Sequence, residues 1–197
     1  MTYQVIELKC PGCGARISVE QKECEWCGAP ITISTFNNVY SMSAPEVNKY
    51  AETYREALTD NPANKEINNS LAMCYLKLKL YDKALLAFEQ AIENNFQNSE
   101  TYFYAAVCLF KGEKAFVQQR NTIDKAMEYI NVAIGLDPRG IYYYFLTYIK
   151  YDYFERKYLN ISPNYKEDLQ TANALGVSEF DISMLYDLLS VARPSLI

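Results

Sequence analysis

Four cysteines, arranged as two Cys-x-x-Cys pairs, form the pattern with the clearest chemistry in this sequence. Cys10 pairs with Cys13 and Cys24 pairs with Cys27, and a glycine follows each pair. Two residues between ligands allow both thiolates of a pair to reach one ion, and four thiolates suit a tetrahedral divalent metal. Since such a site leaves no open position for water or substrate, the pattern predicts one structural Zn²⁺.

The segment 5–33 resembles a short zinc ribbon. Gly14 and Gly28 each follow a pair, where they relieve crowding as backbone N–H groups turn back towards the sulfur atoms. Ten residues separate Cys13 from Cys24, fewer than in the common zinc-ribbon signature. The short spacer predicts a small hairpin that begins near Arg16.

Three other interpretations of the cysteines remain open at this point. Iron in a rubredoxin-like site uses the same four ligands. Disulfides are less favoured, because nothing at the N-terminus looks like a secretory signal and a reducing cytosol is therefore expected. A redox Cys-x-x-Cys motif is usually a single pair beside a βαβ pattern, which this sequence does not show.

Composition limits the function classes. The net charge is −5, half of the 197 residues are hydrophobic, and histidine is absent. The ribbon shows no basic face, so nucleic acid is an unlikely partner. The longest apolar stretch, near Ile141, is too short to span a bilayer. No constellation for hydrolysis, phosphoryl transfer or hydride transfer is visible, which predicts a cytoplasmic protein that is not an enzyme.

The rest of the chain predicts a mainly α fold. Segment 34–44 is polar, lacks periodicity and is interpreted as a linker between the ribbon, 1–33, and a helical domain, 45–197. Apolar residues recur at helical spacing throughout that domain. Helices are predicted near residues 45–60, 65–79, 82–95, 99–112, 120–136, 141–157, 164–175 and 179–191.

Segment 65–98 resembles a tetratricopeptide repeat, a pair of antiparallel helices that stacks into a solenoid. The resemblance is carried by small and aromatic residues at the repeat's characteristic spacings: Leu71, Ala72, Tyr75, Ala84, Phe88 and Ala91. The same phase extends back over Tyr54 and Ala57. It continues forward to Pro138, with an insertion within 111–121, and a more divergent third repeat follows.

The resemblance implies a groove lined by the first helix of each repeat. The groove is predicted to bind a hydrophobic helix or an extended segment of a protein partner, with Phe103, Phe110 and Phe145 as its main anchors. Combined truncation of Phe103 and Phe110 is expected to leave the protein folded and to abolish partner binding. The lining residues are Asn69, Met73, Leu76, Lys77, Phe103, Val107, Phe110, Lys111, Tyr142, Phe145 and Ile149.

The final predicted helix, 179–191, carries an apolar stripe formed by Phe180, Met184, Leu185, Leu188 and Leu189. It is predicted to cap the open end of the helical stack, because its acidic polar face does not suit anionic lipid. An alternative for the groove is that the linker or this helix fills it. The many tyrosines of segment 142–153 are expected to leave some aromatic surface exposed.

These patterns together predict an adaptor that binds a protein or peptide, and they leave its oligomeric state open. One alternative is a nucleic-acid-associated factor that uses the ribbon. Another is a thiol redox or metal-responsive regulator that uses the four-cysteine site.

Overall fold

The computed structural model describes residues 7–18 and 21–197 of the chain. The fold is mainly helical, with a small two-stranded sheet and helical hairpins of the tetratricopeptide type, as predicted. The chain divides into two compact units, Met1–Phe96 and Gln97–Ile197. Within the described residues, no helix combines the length and apolarity that crossing a membrane requires.

The first unit begins with the ribbon. Strand β1, Glu7–Lys9, pairs antiparallel with strand β2, Arg16–Ser18, and Leu8 lies opposite Ile17. Both of these side chains are buried. Arg16 therefore starts a strand as predicted, but this strand ends a hairpin around the first cysteine pair and does not begin one between the two pairs. Residues 1–6 of the predicted ribbon and the two residues after Ser18 lie outside the described part.

Four helices complete the first unit. Their bounds are set by local sequence: Pro45 lies in the first turn of the long helix, and the Asn64 side chain accepts a hydrogen bond of 2.8 Å from the Ile67 N–H at the next helix start. The helices are α1 Asn37–Tyr40, α2 Ala44–Asp60, α3 Lys65–Lys77 and α4 Tyr81–Glu93. The predicted repeat residues Ala72, Ala84, Phe88 and Ala91 are fully buried as α3 packs on α4.

The second unit contains two further hairpins, α5 with α6 and α7 with α8, and a last helix, α9. The predicted insertion forms an irregular turn with a single 3₁₀ turn at Ala115–Val117. The helices are α5 Ser99–Leu109, α6 Arg120–Leu136, α7 Gly140–Ile149, α8 Tyr165–Ala174 and α9 Glu179–Leu189.

The predicted helix 141–157 is not α-helical throughout. After α7 the chain forms a π-helical turn, Lys150–Phe154, and then a 3₁₀ turn, Glu155–Lys157. The change brings buried Lys150 within 2.6 Å of the Asp168 carboxylate on α8. Burial raises the pKa of Asp168, although the ammonium of Lys150 partly offsets that effect. A buried pair of this kind adds little net stability, because the cost of desolvating both charges offsets their attraction.

Two glycines of the second unit provide a matched test of this packing. A Cβ atom at Gly140 would lie 2.8 Å from the Ala172 carbonyl oxygen and 2.9 Å from the Val177 nitrogen, whereas one at Gly135 in α6 would meet nothing within 4 Å. We expect Gly140→Ala to lower the free energy of unfolding by about 1–3 kcal/mol through overpacking. Gly135→Ala should raise it by about 0.5–1 kcal/mol, because alanine favours a helix interior. Denaturant titration of the full chain measures both, and equal effects of the two changes would contradict the close approach at Gly140.

Candidate metal centre and binding surface

The two cysteine pairs form two turns with matching hydrogen bonds. In the first turn, the Gly14 N–H donates to the Cys10 carbonyl oxygen at 2.8 Å, and the Cys10 N–H donates to the Ala15 carbonyl oxygen at 2.7 Å. The second turn repeats both bonds, at 2.8 Å each, between Cys24, Gly28 and Ala29. Gly14 and Gly28 have φ values of +76° and +70°, so glycine is the favoured residue at both positions.

The two turns bring all four sulfur atoms together. The Sγ atoms lie within 4.8 Å of one another, with 3.5 Å between Cys10 and Cys27 and 3.7 Å between Cys13 and Cys24. Four sulfur atoms bound to a tetrahedral zinc at about 2.3 Å lie about 3.8 Å apart. A disulfide requires about 2.0 Å. The donor set and its spacing therefore fit a tetrahedral metal ion and do not fit two disulfides.

The first turn also shows how the two pairs approach each other. A Cβ atom added to Gly12 would lie 3.1 Å from the Cys27 sulfur and 3.1 Å from the Ala29 Cβ. A larger residue at this position would push the two turns apart. Gly12 therefore permits the short distances between the sulfur atoms.

The thiols differ in how readily they ionise. Burial raises the pKa of Cys24, but the backbone N–H groups of Trp26 and Cys27 outweigh that effect and lower it to about 7. At Cys27, the Ala29 N–H lowers the pKa while the neighbouring thiols raise it, and the result is about 12. Since a metal binds thiolates, its binding must displace protons from this cluster and weaken as the pH falls.

In the first unit, the predicted groove residues are covered by the chain itself. Asn69, Met73 and Leu76 on α3 are buried, and Lys77 is half-buried. The cover is segment 33–40, whose Phe36 and Val39 are also buried. The segment described from sequence as a linker thus contains α1 and packs on α3.

Polar contacts hold this segment along α3. The Asn69 side-chain amide donates to the Ile33 carbonyl oxygen at 3.1 Å, and the Ile33 N–H donates to the Ser70 hydroxyl at 2.8 Å. The Lys77 ammonium donates to the Tyr40 carbonyl oxygen and lies 4.6 Å from the centre of the Tyr40 ring. Backbone groups of segment 33–40 are therefore bound by side chains of α3.

In the second unit, Lys111 is exposed and the other predicted groove residues are buried. The Phe145 ring lies 5.7 Å from the Phe103 ring and 5.6 Å from the Phe110 ring, measured between centroids. These rings form the contact between α5 and α7. The remaining buried groove residues are Val107, Tyr142 and Ile149.

Helix α9 covers this part of the groove by packing on both α5 and α7. Its Tyr186 ring lies edge-on to Tyr144 and Tyr148, at centroid distances of 6.3 Å and 5.6 Å. The alternative in which the groove is filled by the chain itself therefore agrees with the structure. Partner contact at the predicted groove residues stays a prediction, and for the buried residues it requires the covering segments to move.

The stripe predicted on α9 needs one correction. Met184, Leu185, Leu188 and Leu189 are buried, but Phe180 is 58% exposed. The buried set also includes Ile182 and Tyr186, which the sequence analysis missed. The signal was present, because residues 182, 185, 186 and 189 follow the i, i+3, i+4, i+7 spacing of a buried helix face.

Comparison with known families agrees with the helical hairpins. Residues 51–111 match the tetratricopeptide repeat family, which confirms the repeat predicted in this part of the chain. Domains of this type are protein-interaction modules with extended binding surfaces. No curated protein matches the chain.

Proposed function

We propose that this chain is a non-enzymatic cytoplasmic adaptor that binds a protein partner through the helix face of α5 and α7, and that its ribbon holds one structural Zn²⁺. The supporting observation is the occupancy of that face by α9. The apolar residues of α5 and α7 already accommodate an amphipathic helix, which is one of the general modes of peptide recognition. The free thiols and the metal-compatible sulfur cluster suit a reducing compartment.

The chemistry of the partner follows from the two segments that cover the groove. In the second unit, α9 presents buried aliphatic residues and Tyr186 to α5 and α7. In the first unit, segment 33–40 lies on α3 and is bound there through backbone groups of Ile33. The proposed partner therefore offers an amphipathic helix with apolar residues at the spacing of Ile182, Leu185 and Leu189.

A partner helix can bind the face of α5 and α7 only by taking the place of α9. Exposing a buried Leu, Ile or Met side chain costs about 1.5–3 kcal/mol, so α9 does not leave the face uncovered. A partner helix must restore the same contacts, and it competes with a tethered helix whose effective concentration is on the order of mM. Tight binding to a partner is expected where α9 is weakened or where the partner's apolar face is larger.

A labelled peptide of residues 178–197 tests whether the face of α5 and α7 accepts a helix in exchange. The variant Leu185→Ala weakens docking of the tethered helix by about 2–5 kcal/mol and should bind the added native peptide more tightly than the unmodified chain does. Fluorescence anisotropy of the peptide measures the difference.

The matched control is Phe180→Ala, which removes an exposed side chain of the same helix and should leave peptide binding at the level of the unmodified chain. A control peptide carrying Leu185→Asp should bind neither variant. A folded Leu185→Ala variant that fails to bind the native peptide would argue against an exchangeable helix site.

A further inference from the structure

A second surface of the molecule is independent of the groove. Trp26 lies in the turn between the second pair of cysteines, Cys24 and Cys27, and is 78% exposed. It is the chain's single tryptophan. Its backbone is fixed by the turn that places both sulfur atoms in the cluster. Large aromatic side chains on a rigid turn lose little conformational freedom on binding and are enriched among residues that dominate binding energy.

Two exposed glutamates lie within three residues of Trp26 in the sequence. Glu25 is its exposed neighbour and accepts a hydrogen bond of 2.9 Å from the Gln21 side-chain amide. Glu23 is exposed as well and lies three residues away, so its Cα is at most about 11 Å from that of Trp26. Lys22 is the one cation between residues 21 and 30.

A cleft beside the second turn extends the acidic surface. It has a volume of about 390 Å³, in the range of side-chain and small-ligand sites. Glu23 on the ribbon and Glu46 in the first turn of α2 both line it. Its other lining residues are Pro30, Asn38, Ser41 and Met42. The cleft therefore combines two carboxylates with an amide, a hydroxyl and a thioether.

We propose that Trp26 and this cleft form a docking surface for an arginine-containing, positively charged segment of a protein partner. A guanidinium group stacks on an indole face and pairs with carboxylates in the same planar geometry. The nearby carboxylates disfavour a phosphate backbone, which sets a basic protein segment apart from nucleic acid as the occupant. This docking surface needs no movement of α9.

The emission of Trp26 provides a direct test, because no other tryptophan contributes. The purified, reduced full chain is titrated with a short peptide of alternating arginine and glycine. Its counterpart, in which citrulline replaces each arginine, keeps the shape and removes the charge. We expect saturable quenching or a blue shift of the emission with the arginine peptide, and neither with the citrulline peptide.

Two double variants, each lacking two carboxylates, distinguish binding at the cleft from a general effect of net charge. Glu23→Gln with Glu46→Gln removes the two carboxylates of the cleft, and Glu52→Gln with Glu56→Gln removes two carboxylates from the exposed side of α2. Binding of the arginine peptide, followed by the anisotropy of a label on the peptide, should weaken about two- to fivefold in the first variant and in Trp26→Ala. The second variant should bind as the unmodified chain does.

Equal weakening by the two double variants would overturn the proposal, because net charge alone would then explain binding. Full binding by Trp26→Ala would overturn it as well. So would tighter binding of single-stranded DNA than of the arginine peptide, since that result would assign the surface to nucleic acid. None of these results bears on peptide exchange at α5 and α7, so the two proposals succeed or fail separately.

Discussion

Cys10→Ser and Cys27→Ser should each abolish metal binding and remove the ordered structure of the ribbon. The four sulfur atoms converge within 4.8 Å, and loss of one replaces a thiolate ligand by a much weaker hydroxyl group or water. Apparent binding free energies of structural zinc sites are about 10–16 kcal/mol, far more than the ribbon's two short strands can supply. Elemental analysis of purified, reduced protein should show one zinc per unmodified chain and none in either variant.

Loss of the metal should also destabilise helices of the first unit. The Tyr54 hydroxyl donates a hydrogen bond of 2.9 Å to the Ile31 carbonyl oxygen, and the Ile31 and Ile33 side chains are buried. These contacts join the end of the ribbon to α2 and α3. Loss of the metal should therefore lower the stability of α2 and α3 while leaving most of the helical signal in circular dichroism.

Two other cysteines of the chain provide a control for the effect of replacing cysteine by serine. Cys74 and Cys108 are fully buried and lie outside the sulfur cluster. Serine at either position should lower stability through burial of a hydroxyl group, yet it should leave one zinc per chain. Zinc retained by Cys10→Ser, or iron found in place of zinc in the unmodified chain, would contradict the proposed structural zinc site.

Much of the fold follows from local sequence signals. The spacing within each cysteine pair is dictated by the need for two sulfur atoms to reach one ion, and the structure closes both turns at Gly14 and Gly28 as predicted. Helices α3 and α8 begin after Asn64 and Asn164, whose side chains accept N–H groups of the first turn. Signals of this kind depend on a few neighbouring residues, so one sequence is enough to predict them.

The segments that cover the groove could not be predicted from local sequence signals in the same way. An apolar stripe on α5 and α7 indicates that a face is buried, but it does not indicate which segment buries it. Segment 33–40 buries Ile33, Phe36 and Val39, but these residues do not indicate which helix they pack on, and the hydrogen bonds to α3 use backbone groups that every sequence possesses. Contacts of this kind between distant segments are therefore difficult to predict from the residue types.

The exposure of the tyrosines near α7 was also difficult to predict from the sequence. Some exposed aromatic surface was expected there, but Tyr142, Tyr144, Tyr148 and Tyr153 are buried, and Tyr143 and Tyr151 are half-buried. The reason is that α7 is contacted by four helices, α5, α6, α8 and α9. A helix covered on several sides loses the one-sided pattern from which exposure can be predicted.

Phe103→Ala combined with Phe110→Ala should unfold much of the second unit. The sequence alone suggested partner anchors whose truncation leaves the protein folded. In the structure Phe103 is 3% exposed and Phe110 is fully buried. Each truncation should lower the free energy of unfolding by about 3–5 kcal/mol, because it removes ring contacts and leaves a cavity.

The two effects should not simply add, since both rings contact Phe145 at 5.6–5.7 Å. Denaturant titration of the two single variants and the double variant measures this coupling. Phe180→Ala provides the control, because it removes the same side chain from an exposed position on α9 and should change stability by less than about 1 kcal/mol.

This expectation changes how partner binding must be tested. If the double variant loses a partner, the loss will report an unfolded unit and will not identify a contact. Lys111→Ala is the informative change at the predicted groove, because Lys111 is the one residue of that set in the second unit that is exposed. A double phenylalanine variant with unchanged stability would mean that the ring cluster does not hold this unit together.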